Sequence, residues 1–131
     1  MTASTSLPAV LVVEDEPLIQ EIIEATLEEG GFAVRLATSS TAALTTLADD
    51  VGDLVALITD IDLGKGPDGW EVARQARRLN PDLAVVYMSG GSVGGWTAEG
   101  VPNSTMVPKP FAPATLLVAL ASRLNKSDTN G

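Results

Sequence analysis

Five short apolar runs, each followed by a stretch with helical hydrophobic spacing, constrain this 131-residue chain more than any other feature. The runs are Val10-Leu11-Val12-Val13, Phe32 to Ala37, Val55-Ala56-Leu57-Ile58, Leu83 to Met88 and Thr105-Met106-Val107. The first, third and fourth are continuous hydrophobics, the pattern of strands covered on both faces of a parallel sheet. The second alternates Phe32, Val34 and Leu36 with Ala33, Arg35 and Ala37, which places it nearer a sheet edge. Pro108 closes the fifth run, and because proline cannot donate to a ladder, that strand suits an end or an edge. Parallel neighbours require crossover helices, so the alternation predicts an α/β sandwich of three layers around one five-stranded parallel sheet.

Such a (βα)5 chain is expected to be flavodoxin-like, with strand order 2-1-3-4-5 and its switch point between the first and third strands. Pro17 suits the first turn of the first helix, where Glu14, Asp15 and Glu16 sit at the positive end. Leu18, Ile19, Ile22, Ile23 and Leu27 form its apolar face, and Gly30-Gly31 ends it. Ser39, Ser40 or Thr41 can cap the second helix, which turns Ala43, Leu44, Leu47 and Ala48 inward. Gly64 to Gly69 reads as a turn-forming loop, and the third helix then buries Val72, Ala73, Ala76 and Leu79 with Arg74, Arg77 and Arg78 mostly outward. The glycines between Gly90 and Asn103 predict a fourth helix, around Val93 to Glu99, that is short and mobile. The last helix carries Leu116, Leu117, Leu120 and Leu124. Residues 1–8 read as a flexible leader and 126–131 as a polar tail, leaving 9–125 as one domain.

Composition removes whole classes of chemistry. Without cysteine there are no disulfides, thiolate nucleophiles or zinc–thiolate sites, and without histidine the commonest general base is absent. A net charge of −9 argues against direct contact with nucleic acid and gives no reason to expect an anionic membrane surface as partner. No apolar run approaches the roughly 20 residues of a membrane-spanning helix. Met1 to Pro8 has neither the basic residue nor the apolar block of a secretory signal. Carboxylates, hydroxyls and amines remain.

Those groups concentrate at one end of the predicted sheet. The central strand ends in Asp60-Ile61-Asp62, the first in Glu14-Asp15, the fourth in Ser89 and the fifth near Lys109. In a parallel sheet all these ends lie on one rim, where open α/β folds keep their chemistry. Clustered carboxylates repel one another and need a counter-charge, and an oxygen-rich set with room for water suits Mg²⁺. Lys109 adds a point charge able to hold a phosphoryl oxygen, Ser89 adds a hydrogen bond, and Gly90 leaves an approach open. Carboxylate nucleophiles form aspartyl phosphates, and phosphoryl transfer asks mainly for positioning and charge neutralisation, which needs no histidine base.

Taken in order, Val12-Val13-Glu14-Asp15-Glu16, Leu57 to Leu63, Asp68-Gly69-Trp70-Glu71, Met88-Ser89-Gly90 and Lys109-Pro110-Phe111 make the sequence resemble the receiver domain of two-component response regulators, of the single-domain, chemotaxis-regulator-like kind. The resemblance covers roughly residues 9–124. It implies that Asp60 accepts a phosphoryl group from a histidine kinase or histidine phosphotransfer protein, in a chain that is not an enzyme but assists its own phosphorylation and dephosphorylation. It implies that Asp15, Asp60 and the main-chain carbonyl of Asp62 bind Mg²⁺, with Glu14 acting through metal-bound water. It places Ser89 and Lys109 on the phosphoryl group and implies a cis Lys109-Pro110 bond. A cytoplasmic, bacterial location follows from the same resemblance.

Receiver domains often carry Tyr or Phe three residues before this lysine as a rotameric switch, and here the position is Met106. The thioether fills space but has no ring or hydroxyl to report the state of Ser89. The switch is therefore expected in the glycine-rich segment from Gly90 to Gly100, with Trp96 as its reporter. The expected output is binding, to a protein target or a second copy, through helix four, strand five and helix five. Other readings compete: a haloacid dehalogenase-like phosphatase built on Asp60-Ile61-Asp62, a receiver-like interaction module that is never phosphorylated, and a receiver cut from a hybrid kinase.

Overall fold

The computed structural model describes residues 7–91 and 95–125. Most of the expected leader (residues 1–6), the expected tail (126–131) and the first part of the expected fourth helix lie outside the described residues. Strands β1 (Ala9–Val13), β2 (Ala33–Ala37), β3 (Leu54–Asp60), β4 (Ala84–Ser89) and β5 (Ser104–Pro108) alternate with helices α1 (Pro17–Glu29), α2 (Ser40–Asp50), α3 (Gly69–Leu79), α4 (Trp96–Glu99) and α5 (Pro113–Asn125). The five strands form one parallel sheet in the order β2-β1-β3-β4-β5, so the alternating β2 and the proline-closed β5 are its edges. No helix among the described residues is long and apolar enough to cross a membrane.

The period-2 geometry of the strands divides the core into two layers. Leu11, Val13, Leu57, Val85 and Tyr87 point to one face, where α2 supplies Ala43 and Leu47 and α3 supplies Val72, Ala73 and Ala76. Val10, Val12, Ile58, Val86 and Met88 point to the other, against Ile23 and Leu27 of α1 and Leu116 and Leu120 of α5. Burying a side chain of this size contributes roughly 1.5–3 kcal/mol, and both faces of the three central strands are covered.

Helix starts follow local chemistry. Of the three candidate caps for α2, Ser39 holds the position, its Oγ accepting from the Ala42 amide at 3.1 Å. Asp68 caps α3 through the Glu71 amide at 3.0 Å, in the Asp-x-x-Glu spacing of a capping box. Glu16 stands at the α1 cap position without a capping bond.

Expected burial fails at four positions, and an expected outward placement fails at a fifth. Leu18 is 74% exposed and Ile22 44%, because the sheet covers only the side of α1 that carries Ile23 and Leu27. Leu79, at the last turn of α3, is 50% exposed, and Ala48 of α2 also faces solvent. Arg77 is not a solvated outward charge. Its guanidinium donates to the carbonyls of Leu83 at 2.7 Å, Pro102 at 2.5 Å and Asn103 at 3.0 Å, tying α3 to the starts of β4 and β5.

Candidate functional site

The carboxyl ends of β1, β3, β4 and β5 meet at one rim, and main-chain bonds carry the order of the sheet a step beyond the strands. The Glu14 amide donates to Ala37 O, the Ile61 amide to Met88 O, and the Lys109 amide to Ser89 O. Each bond ties the backbone at or beside a reactive side chain to the neighbouring strand. Gly69 brings the start of α3 against the end of β3: its amide donates to Ile61 O at 2.9 Å, and a Cβ there would overlap the Asp60 carbonyl.

Lys109 is the hub. Its Nζ lies 2.8 Å from Glu14 Oε1, 3.2 Å from Asp60 Oδ2 and 3.5 Å from Glu16 Oε1. Glu14 has no exposed surface, and Asp60 is 5% exposed. The second oxygen of Glu14 accepts the Glu16 amide at 3.1 Å, and Gln20 Nε2 donates to the Glu14 carbonyl at 2.7 Å. Ser89 is buried at the end of β4, and its Oγ accepts the Gly91 amide at 3.1 Å. Lys109-Pro110 is cis.

Burial pushes the Asp60 carboxyl above its ordinary range, while the Lys109 charge and hydrogen bond and the amides of Asp62 and Ile61 pull it back. Burial likewise raises Glu14, against its hydrogen bonds to Lys109 and the Glu16 amide, and the neighbouring Asp60 charge adds to the rise. Burial alone would lower Lys109, but Glu14 and Asp60 together outweigh it and hold the ammonium above its usual value.

Ligand oxygens of Glu14, Asp15, Glu16 and Asp60 all lie within 4.8 Å of one another. Four carboxylates against one ammonium leave an excess of negative charge, and every donor is a hard oxygen. Asp15 is exposed, which leaves room for coordinated water, so the set fits Mg²⁺. The Asp62 side chain is exposed and stands outside this cluster. Met106 is partly buried, packed against the layer that holds Tyr87, and Trp96 is exposed with its indole donating to Ser104 Oγ at 2.9 Å. Gly90 is exposed beside Ser89.

Sequence reasoning did not assign Glu16, Gln20 or Gly69 to this rim. Glu16 left a signal in the acidic run Glu14-Asp15-Glu16 and Gly69 in the Asp68-Gly69 pair that opens α3, while Gln20 left none.

The family model for the response regulator receiver domain matches residues 10–121. This chain belongs to that family. The receiver domain is 31% identical over 118 residues to the C4-dicarboxylate transport transcriptional regulatory protein DctD of Rhizobium meliloti, a match covering 88% of this chain and 25% of that protein. The chain therefore spans about a quarter of that relative's length. Among solved structures, a response regulator receiver protein from Sinorhizobium medicae superposes with a TM-score of 0.88 at 35% identity, covering 92% of this chain and 96% of that one. The receiver domain of sensor histidine kinase PA1611 from Pseudomonas aeruginosa, solved with a magnesium ion coordinated in its active site cleft, superposes with a TM-score of 0.78 at 23% identity, covering 93% of this chain and all of that one, which shows the shared fold. The flavodoxin-like α/β fold and the role of phosphoacceptor domain in two-component signalling are those expected from the sequence. A receiver domain accepts a phosphoryl group rather than acting as a classical enzyme, interacts with histidine kinases or phosphotransfer proteins, and binds Mg²⁺ at an acidic pocket.

Proposed function

We propose that Asp60 is the phosphoacceptor of this receiver domain. The observation that carries the reading is the placement of Lys109 between two buried carboxylates, 2.8 Å from Glu14 and 3.2 Å from Asp60. A nucleophilic carboxylate must be ionised, yet burial favours its protonated form, and Lys109 supplies the counter-charge. An Asp60 oxygen attacks phosphorus, the phosphorus–nitrogen bond of a phosphohistidine breaks, and the imidazole nitrogen keeps the electron pair and takes a proton. Lys109 then shifts from Asp60 toward a phosphoryl oxygen, while Glu14 continues to hold it. Ser89 donates to a second phosphoryl oxygen, and Gly90 keeps the approach open.

Asp15, Asp60 and the main-chain carbonyl of Asp62 would hold Mg²⁺, with Glu14 reaching it through water. Bound there, the ion neutralises phosphoryl charge. The domain extends over residues 9–125, works in the cytoplasm and assists its own phosphorylation and dephosphorylation. Phosphorylation shifts a two-state equilibrium in the region of Gly90, Trp96 and Met106, altering the surface of α4, β5 and α5 that meets a protein target or a second copy. Intact mass after incubation with Mg²⁺ and a small phosphodonor tests the reading. One added phosphate in wild type and none in Asp60→Asn is expected. An unmodified wild type would leave an interaction module that is never phosphorylated.

A further inference from the structure

Tyr87 lies two residues before Ser89 on β4, wholly buried. By the period of a strand the two side chains share a face. In the sheet register Tyr87 pairs with Met106 of β5, and both belong to one apolar layer. The aromatic ring that position 106 lacks is thus present one strand over. Its hydroxyl accepts the buried main-chain amide of Val101 at 3.0 Å. Ser104 Oγ–H donates to the Val101 carbonyl at 2.6 Å, and Ser104 Oγ in turn accepts the Trp96 indole N–H at 2.9 Å. Hydrogen bonds joined through the Val101 backbone therefore connect Tyr87 to the exposed indole.

Tyr87 also packs against the start of α3, which abuts the end of the acceptor strand. Its ring meets Trp70 with centroids 4.7 Å apart and planes at 60°. Trp70 follows Gly69, whose amide is bonded to Ile61 O and whose α-carbon abuts the Asp60 carbonyl. Displacement at Asp60 or at Ser89 thus reaches the same ring by two short routes. That ring is rigid and wholly buried, so it cannot move without moving or losing the Val101 amide. The indole at the far end is seated closely on Gly100, where a Cβ would overlap it, and it borders an open cleft of about 410 Å³ lined by Val101, Pro102 and Ser104.

We propose that Tyr87, rather than residue 106, transmits the state of the phosphorylation site, through Val101 and Ser104, to Trp96. The proposal rests on the phosphoacceptor reading of Asp60. In the absence of phosphodonor, Tyr87→Phe should speed hydrogen exchange of the Val101 amide by roughly tenfold, the scale of one lost hydrogen bond. Unchanged exchange overturns the chain. With Mg²⁺ and a small phosphodonor, the Trp96 indole resonance, assigned with Trp96→Phe, should shift in wild type in step with the gain of phosphate by mass. In Tyr87→Phe, and in Ser104→Ala, which cuts the chain at its other end, the phosphate should be gained while the indole resonance stays in place. A shift of wild-type size in either phosphorylated variant overturns the proposal. Wild type that gains phosphate with a fixed indole sinks the relay alone. Wild type that gains none sinks the phosphoacceptor reading together with it.

Discussion

Lys109 and Glu14 form an ion pair of 2.8 Å in which the carboxylate has no exposed surface and the lysine side chain is 15% exposed. Glu14 reaches Lys109 directly, which gives it a structural duty apart from any contact with water around a metal. The pair also fixes where Asp60 finds its counter-charge. Breaking a buried pair by removing one partner is costly because the other charge is left uncompensated, so Lys109→Met should destabilise the domain by about 3 kcal/mol. Adding Glu14→Gln should recover a large part of that loss. Urea unfolding of the two variants checks this, and a double variant no more stable than the single one would contradict it.

The Asp60 carboxyl carries the opposite sign. Burial raises its folded pKa above the ordinary 3.8, so the folded chain keeps that proton to higher pH than the unfolded chain does. Stability is therefore lost as pH rises from about 4 through the folded pKa, and the penalty is constant above it. Asp60→Asn cannot ionise, and its stability relative to wild type, read as the difference in Tm, should grow from pH 4 to pH 7. Glu14 is raised in part by the Asp60 charge, so its own rise is smaller in the variant and adds to the same trend. Thermal unfolding at the two pH values in metal-free buffer checks the sign, and a difference that shrinks toward pH 7 would contradict it.

Gly69 has no room for a side chain because its α-carbon abuts the Asp60 carbonyl. Gly69→Ala must push the start of α3 away from the end of β3. A loss of about 1–3 kcal/mol, the usual range for overpacking, is expected. Phosphorylation by a small donor should slow as well, since the strand end that presents Asp60 moves. A variant of unchanged stability and unchanged rate would show that the contact relaxes freely.

Asp60, Asp15, Ser89 and Lys109 were visible in the sequence because each follows an apolar run, and a run that stops in a polar residue marks a strand end. The strand order was equally legible, since the alternating Phe32 to Ala37 and the proline after Val107 both mark edges. Helix faces were less so. The apolar positions of α1 span a wider arc than the sheet covers, and spacing cannot say which part of the arc is buried, so Leu18 and Ile22 were misassigned. Arg77 shows a different limit. Its acceptors at Pro102 and Asn103 lie 25 and 26 residues away, a contact that depends on how α3 sits against the β5 loop. Tyr87 was concealed by its own strand, since a continuous apolar run gives no sign that one member also holds a backbone amide.

The central claim concerns one oxygen atom of Asp60, so the most direct test locates the phosphate. Wild type incubated with a small phosphodonor, with Mg²⁺ or with a chelator, is digested and mapped by mass spectrometry. The expected result is a single phosphate on the peptide containing residue 60, labile to hydroxylamine as an acyl phosphate must be, and lost when Mg²⁺ is removed. A hydroxylamine-stable phosphate on a serine or threonine, or an acyl phosphate on another carboxylate, would contradict the account.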